Sequence, residues 1–415
     1  MISSNDQKIL QTLAKGVAEI AALPIMEERR VQWRRHHRLV PGRPLVLVFP
    51  EGAWRELLPD SELQCSNTQT RAMEWELRSR IYSHENLLDD KPVEAKWVVS
   101  KRIQVSNWGL APQHTQRTQD TGSWKFVPVI GEFADFKKLH YPEVTFDPEG
   151  SLQDLEEAES LFGGILQVVQ KGVAHVSFHL AQVYSDLRGL EQMYVDMLEH
   201  PEEMLQVLEF FTRGYEHLLQ QYLDLNLLSL NNDETYHSSG GLGYTTELPA
   251  PGFDPLHVRP IDLWASAESQ ELAVVSPRMH RKFALDFEKR LLKPFGLTGY
   301  GCCEDLGSKL QDVLQVPNIR RISISPFADV ERCAEQLRQG AQKIGRRAIF
   351  SWKPQPQDLV GDFDPARIRS YIANALEATR GCIVEMILKD THTCENHPER
   401  FREWTRIARE LVEEY

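Results

Sequence analysis

Residues 299–306 read "GYGCCEDL" and follow the apolar-aromatic run "LLKPFGLTGY". A thiol beside a carboxylate can act as nucleophile, metal ligand or acid–base pair. Adjacent cysteines are strained disulfide partners. Neighbours in a strand point to opposite faces, so one of Cys302 and Cys303 is expected to face a site while the other packs outward as a small apolar group. The plain alternative for Glu304 is a helix N-terminal carboxylate.

Other apolar runs end in equally reactive groups. They close with "NNDETYH" (231–237), "SAESQE" (266–271), "SISP" (323–326), "SWKP" (351–354) and "LKDTHTC" (388–394). This nominates Glu268, Cys302, Cys303, Glu304, Lys353 and Asp390 as catalytic groups. Asn231, Asp233, Tyr236, His237, Ser325 and Lys389 are the substrate-binding candidates. A charged group ending a buried strand must find a partner or a solvated mouth, because an unpaired buried charge is costly. His237 has the plain reading of a loop histidine, and the cysteines that of core fillers. The stretch "GGLGYTTELPAPGF" (240–253) has the composition of a lid loop. It lacks the lysine–hydroxyl ending of a phosphate loop and does not follow a first strand as a dinucleotide fingerprint would.

These groups need elements to hold them. Eight short apolar runs stand out: Leu45–Phe49, "AHVSFHLA", "LLSLNND", "IDLWASAE", "LTGYGCCE", "IRRISISP", "RAIFSWKP" and "CIVEMILKD". Amphipathic stretches at 187–223, 276–293, 328–343, 365–379 and 398–413 separate the later ones. Strand–helix alternation predicts a parallel sheet. Eight units predict an α/β fold, a (β/α)8 TIM barrel occupying 1–415 as one domain. Its chemistry is expected at the carboxyl ends of the strands. Residues 1–43 are expected to form an N-terminal helical extension, and 93–131, which alternates, a β-hairpin insertion.

Composition narrows the function classes. The 415 residues carry a net charge of −13, which argues against nucleic acid as the main partner. No window holds 18 uninterrupted apolar residues and no apolar leader opens the chain, so no membrane partner and a cytoplasmic location are expected. Six cysteines are too few for a disulfide framework, which leaves free thiols for chemistry or metal. Thiol, imidazole and carboxylate together suit zinc, whose catalytic sites keep one position open. The chain has no C-x2-C pair.

Long segments resemble an uncharacterised branch of the uroporphyrinogen decarboxylase superfamily, related to corrinoid-dependent methyltransferases. They are "LPIMEERRVQWRRHHRLVPGRPLVLVFPEGAWREL", "DLRGLEQMYVDMLEHPEEM", "YHSSGGLGYTTELPAPGFD", "FGLTGYGCCEDLGSKLQDVLQVPNIRRISISPFAD", "SWKPQPQDL" and "GCIVEMILKDTHTCENHPERFREW". The resemblance implies a (β/α)8 barrel. The decarboxylases of that superfamily carry an arginine-rich signature after the first strand. Here the matching "VFPEGAWRELL" holds Arg55 alone and places Glu51 among the expected cations. Its methyltransferases carry a His-x-Cys pair and a later cysteine. Cys303 falls at the first cysteine, Gly301 stands at the histidine, and the late position falls near Asp390–His392, flanked by Cys382 and Cys394. The resemblance thus implies a rewired metal set of Cys303, Glu304 and His237, with Cys302, Asp390 and His392 as alternatives.

The leading expectation is a methyltransferase passing a methyl group between a small substrate (an ether, amine or thiol) and a corrinoid. The chain has no Asp-x-His-x-x-Gly corrinoid motif, so a partner corrinoid protein would carry it. Zinc is the expected metal and a homodimer is compatible with the sequence. The alternatives are a cofactor-free decarboxylase or other lyase acting on a tetrapyrrole or small carboxylate through Lys353 and Lys389, and a non-catalytic small-molecule-binding protein.

Overall fold

A computed structural model describes residues 2–115 and 126–415 of the chain. Seven short runs form one parallel sheet: β1 Leu45–Val48, β2 Ser177–Phe178, β3 Trp264–Ala267, β4 Leu297–Tyr300, β5 Ile319–Ile324, β6 Ile349–Trp352 and β7 Ile383–Leu388. Their spatial order is β1-β7-β6-β5-β4-β3-β2. The pairing is parallel throughout, so all seven carboxyl ends lie along one edge.

The two faces of the sheet follow from the strand period of two. Val46, Val48, Ala265, Ala267, Tyr300, Ile322, Ile324, Phe350, Trp352, Val384, Met386 and Leu388 join the main apolar core with the helices. The alternate positions face the other way. Leu45, Leu47 and Ile387 pack with Trp33, Leu242 and Tyr244, while Trp264 and Leu297 pack with Leu248. That inner face also carries Arg321 and Glu385, both fully buried.

Local chemistry sets the helices. Asp329 caps Val330–Ile344 by accepting the Arg332 amide, Cys333, Ala334, Leu337 and Gly340 give it a buried stripe, and Gly345 (φ 64°) ends it. Asp364 accepts two amides at the start of Pro365–Ala378, where proline occupies the first turn. Before the sheet, Ser4–Ala21 buries Leu10, Ala14, Val17 and Ala21, and Pro24–His37 sends Trp33, His36 and His37 inward. The extension expected over 1–43 is thus helical but is no appendage, since its last turn completes the buried inner network. No single helix is long and apolar enough to cross a membrane among the described residues.

Three expectations are corrected here. First, the run 227–233 does not enter the seven-stranded ladder, so closure into an eight-stranded barrel is not made by strand pairing. Its backbone pairs with Val173, in an isolated bridge at Leu228, and the Asp233 carbonyl accepts the Gly243 amide at 2.9 Å. The Asn231 side chain takes over the pairing: its amide donates to the carbonyls of Ala174 (2.8 Å) and Trp264 (2.9 Å), and its oxygen accepts the Trp264 amide (3.0 Å). Second, among the described residues the 93–131 hairpin pairs only Gln113–His114 with Phe126–Val127. Lys96–Ser100 instead runs parallel to Gln167–Lys171, and Arg102–Val105 antiparallel to Val144–Asp147. Residues 116–125 of that segment lie outside the described ones. Third, the first half of the expected lid is packed inside, while residues 246–247 and 251–252 are exposed. Residues 239–245 are buried against the inner face of the sheet. Gly241 lies so close to Arg321 that a Cβ there would fall 2.2 Å from the guanidinium carbon. Gly240, at φ +89°, takes a conformation that glycine alone adopts freely.

Candidate functional site

Continuing each strand's inward alternation by one step gives Phe49, His179, Glu268, Gly301, Ser325, Lys353 and Lys389. These are the upper layer of the inner face, at the carboxyl edge. Beneath it lies a charged network. Arg321 pairs with Glu385 (2.7 Å) and bonds His37 Nε2 (2.6 Å) and His237 Nδ1 (2.9 Å). Glu385 also meets His36 (3.2 Å) and accepts from the Ser351 hydroxyl (2.5 Å). Lys353 donates to that hydroxyl at 2.7 Å and to the Ser351 carbonyl at 3.0 Å. Burial opposes ionisation of Glu385, but Arg321 overrides it and holds the carboxyl well below its ordinary range. Burial and then Arg321 push His37 and His237 down, so both rings are neutral. Burial also pulls the Lys353 amine down to about 7.

The layer above is organised differently. Gly301 leaves β4 at φ +93°. The turn breaks the strand alternation, and both thiols come to the same side with sulfurs 3.6 Å apart. This corrects the expectation that only one cysteine would face the mouth. Cys302 is half-buried and Cys303 exposed. The Ser239 hydroxyl donates to Cys302 Sγ at 3.5 Å, and Lys389 Nζ donates to the same hydroxyl at 3.5 Å. The hydrogen bond from Cys303 lowers the Cys302 pKa to about 6, and the same hydrogen bond together with burial keeps Cys303 protonated.

Carboxylates gather behind the thiols. Glu304 is buried, with Oε2 accepting the Cys302 amide at 2.8 Å. Burial and then Glu268 raise it to about 7. Glu288 accepts hydroxyls from Ser269 (2.7 Å) and Tyr300 (2.6 Å), and burial raises it to about 8. Glu271 reaches about 8 for the same cause, reinforced by Glu268. Glu268 itself holds His179 Nδ1 at 2.5 Å, with the imidazole 35% exposed. Burial disfavours the imidazolium, yet Glu268 outweighs burial and raises the His179 pKa.

The sequence candidates therefore separate. Glu268, Cys302, Cys303, Lys389 and Asp390 stand at the open edge, with Tyr236, whose ring meets Phe49 edge-on at 5.6 Å. Asp390, at φ +59°, is anchored through its amide to Glu51 (2.9 Å) and approaches Lys389 at 3.4 Å. Glu304 and Lys353 lie just beneath. Ser325 is buried and accepts the Phe327 amide at 3.1 Å, holding its loop. Asn231 is committed to the strand junction. Asp233 is tied to Lys171 (2.6 Å) and Lys96 (3.4 Å) instead of the mouth.

The expected zinc set does not fit. Both His237 nitrogens are engaged, Nδ1 by Arg321 and Nε2 facing the Ala265 carbonyl at 3.3 Å. Glu304 is turned toward the backbone amides of Cys302 and Ser269. Among the described residues no three His, Cys, Asp or Glu side chains converge as metal ligands. The late cysteines do not join them: Cys394 donates to Glu56 at 3.1 Å, and Cys382 to the Ala334 carbonyl at 3.7 Å. His392 meets Arg55 through its carbonyl oxygen (3.1 Å).

Sequence reasoning missed His179, Ser239 and the inner pair Arg321–Glu385. His179 was legible, since it follows "VSF" directly and ends a strand as Glu268 and Lys353 do. Ser239 carried no signal, because its place depends on how the glycine loop folds inward.

No protein-family model matches the chain, and no curated protein matches it. Among solved structures, the chain is similar to a methyltransferase from Methanosarcina mazei, at 12% identity and a TM-score of 0.46, over 92% of this chain and 98% of that one.

Proposed function

We propose that the protein is a methyltransferase that takes a methyl group from a small ether, amine or thiol and delivers it to a corrinoid carried by a partner protein. The observation that carries this reading is the His179–Glu268 pair. It is a half-exposed imidazole whose protonated form is favoured by a buried carboxylate at the carboxyl edge of the sheet, beside Cys302. Breaking a carbon–heteroatom bond needs a proton for the departing heteroatom. His179 donates that proton, Glu268 stabilises the charged imidazole beforehand, and Glu304 is the reserve acid behind it. Tyr236, Lys389 and Ser239 line the same opening and orient the donor. The corrinoid supplies the methyl-accepting nucleophile. Val274 and Phe327, 83% and 74% exposed, stand on the loops after β3 and β5. They are the apolar groups that such a partner would cover.

A cofactor-free carboxy-lyase is the second reading. Lys389 favours it as a cation at the mouth, held protonated, against burial, by Tyr236 and Asp390. The deciding experiment mixes the protein with a reduced corrinoid protein and a panel of methylated amines, ethers and thiols, and follows the cobalt absorbance. A donor-dependent change, abolished in His179→Ala, supports methyl transfer. Carbon dioxide release from a carboxylate or porphyrinogen, with an unchanged cobalt spectrum, reverses the order of the two readings.

A further inference from the structure

We propose that Cys302 and Cys303 form a reversible dithiol–disulfide couple that reacts with small-molecule disulfides. Four observations carry this. The sulfurs already stand 3.6 Å apart. The positive φ of Gly301 frees the following residues from strand geometry, which otherwise sends neighbouring side chains to opposite faces. Cys303 is exposed and Cys302 half-buried, whereas Cys65, Cys333 and Cys394 are buried. Ser239 donates a hydrogen bond to Cys302 Sγ, and Lys389 stands behind that hydroxyl. Cys302 is therefore the attacking sulfur and Cys303 the resolving one.

The exchange balances without a metal or redox cofactor. The Cys302 thiolate attacks one sulfur of a small disulfide, whose sulfur–sulfur bond breaks and whose other half leaves as thiolate. Cys303 gives its proton to water, attacks Cys302 Sγ and displaces the second half. The protein dithiol is oxidised, and one disulfide is reduced to two thiols. Closing the bond brings the sulfurs to about 2.05 Å in a strained ring, so a dithiol reductant reopens it readily. The couple would remove both thiols from the mouth under oxidising conditions.

The test reads mass, not turnover, so its outcome is independent of the proposed methyl transfer. The full chain is incubated with oxidised glutathione in native buffer, free thiols are alkylated, and the peptide spanning residues 302 and 303 is weighed. We expect a peptide two hydrogens lighter than the dithiol form and unalkylated, restored to two alkylated cysteines by dithiothreitol. In Cys303→Ser the glutathione should remain on Cys302 as a stable adduct. If the wild-type peptide keeps both thiols alkylatable, or retains glutathione as the variant does, the couple does not exist.

Discussion

Two charged clusters sit one above the other on the same sheet and obey opposite rules. In the inner one, Arg321 and Glu385 are each met by several complementary partners, and burial is offset by attraction. In the upper one, Glu268, Glu271, Glu288 and Glu304 crowd together, and burial with mutual repulsion drives three of them toward the neutral acid. A charge-balanced network holds structure; a crowd of like charges holds protons that can be moved. Perturbed carboxyls around an open edge are the pattern expected of a working site.

The largest effect expected is from breaking the inner pair. Arg321→Met leaves Glu385 buried without its cation and should cost about 3–5 kcal/mol in denaturant unfolding. The pH dependence has a definite sign. Because Glu385 is depressed in the fold, its stabilisation is present above the ordinary carboxyl range and is lost only as pH falls through the lower folded value. An Arg321→Met protein as stable as wild type would make the inner cluster dispensable.

Next is His179→Ala. Losing a positioned acid should lower turnover roughly 10²–10⁴-fold, with unfolding little changed because the ring is partly exposed. Wild-type rate should fall as pH rises through the raised His179 pKa, since the protonated ring is the working form. An equal loss of stability would move His179 into the structural class.

Glu288→Gln sharpens the contrast through stability alone. Glu288 is raised to about 8, so its protonated form favours the fold below the unfolded carboxyl pKa, and that contribution is lost as pH rises through about 8. The wild type should weaken between pH 5 and about 9, and the glutamine variant should weaken less. A wild-type curve flat over that interval, matched by the glutamine variant, would show that burial does not hold Glu288 neutral.

Asn231→Ala should cost about 1–3 kcal/mol, because it strands the Ala174 and Trp264 backbone groups at the strand junction. Turnover of the remaining folded protein should not change. The smallest effect is expected from Phe327→Ser: unchanged unfolding, with a raised KM for the partner protein alone. A changed kcat with small donors would place Phe327 at the chemistry.

Much of the scaffold was legible in the sequence for a local reason. Period-two apolar runs and capped amphipathic helices report their own burial, so seven strands and the later helices could be read within a few residues. The polar endings of those strands also indicated which edge would be chemical. Pairing was not legible, because it depends on contacts distant in sequence. The run 227–233 has strand composition, yet Asn231 spends its side chain on the ladder's work. The glycine stretch after it has lid composition, yet it fills the sheet's concave face because Gly241 admits the Arg321 guanidinium. The two cysteines carry the same lesson. Sequence periodicity assigned them opposite faces, and a single positive φ at Gly301 placed them together. Residue type and spacing determined which groups were available. Tertiary structure alone decided which became partners, because attraction, repulsion and burial act across space and not along the chain.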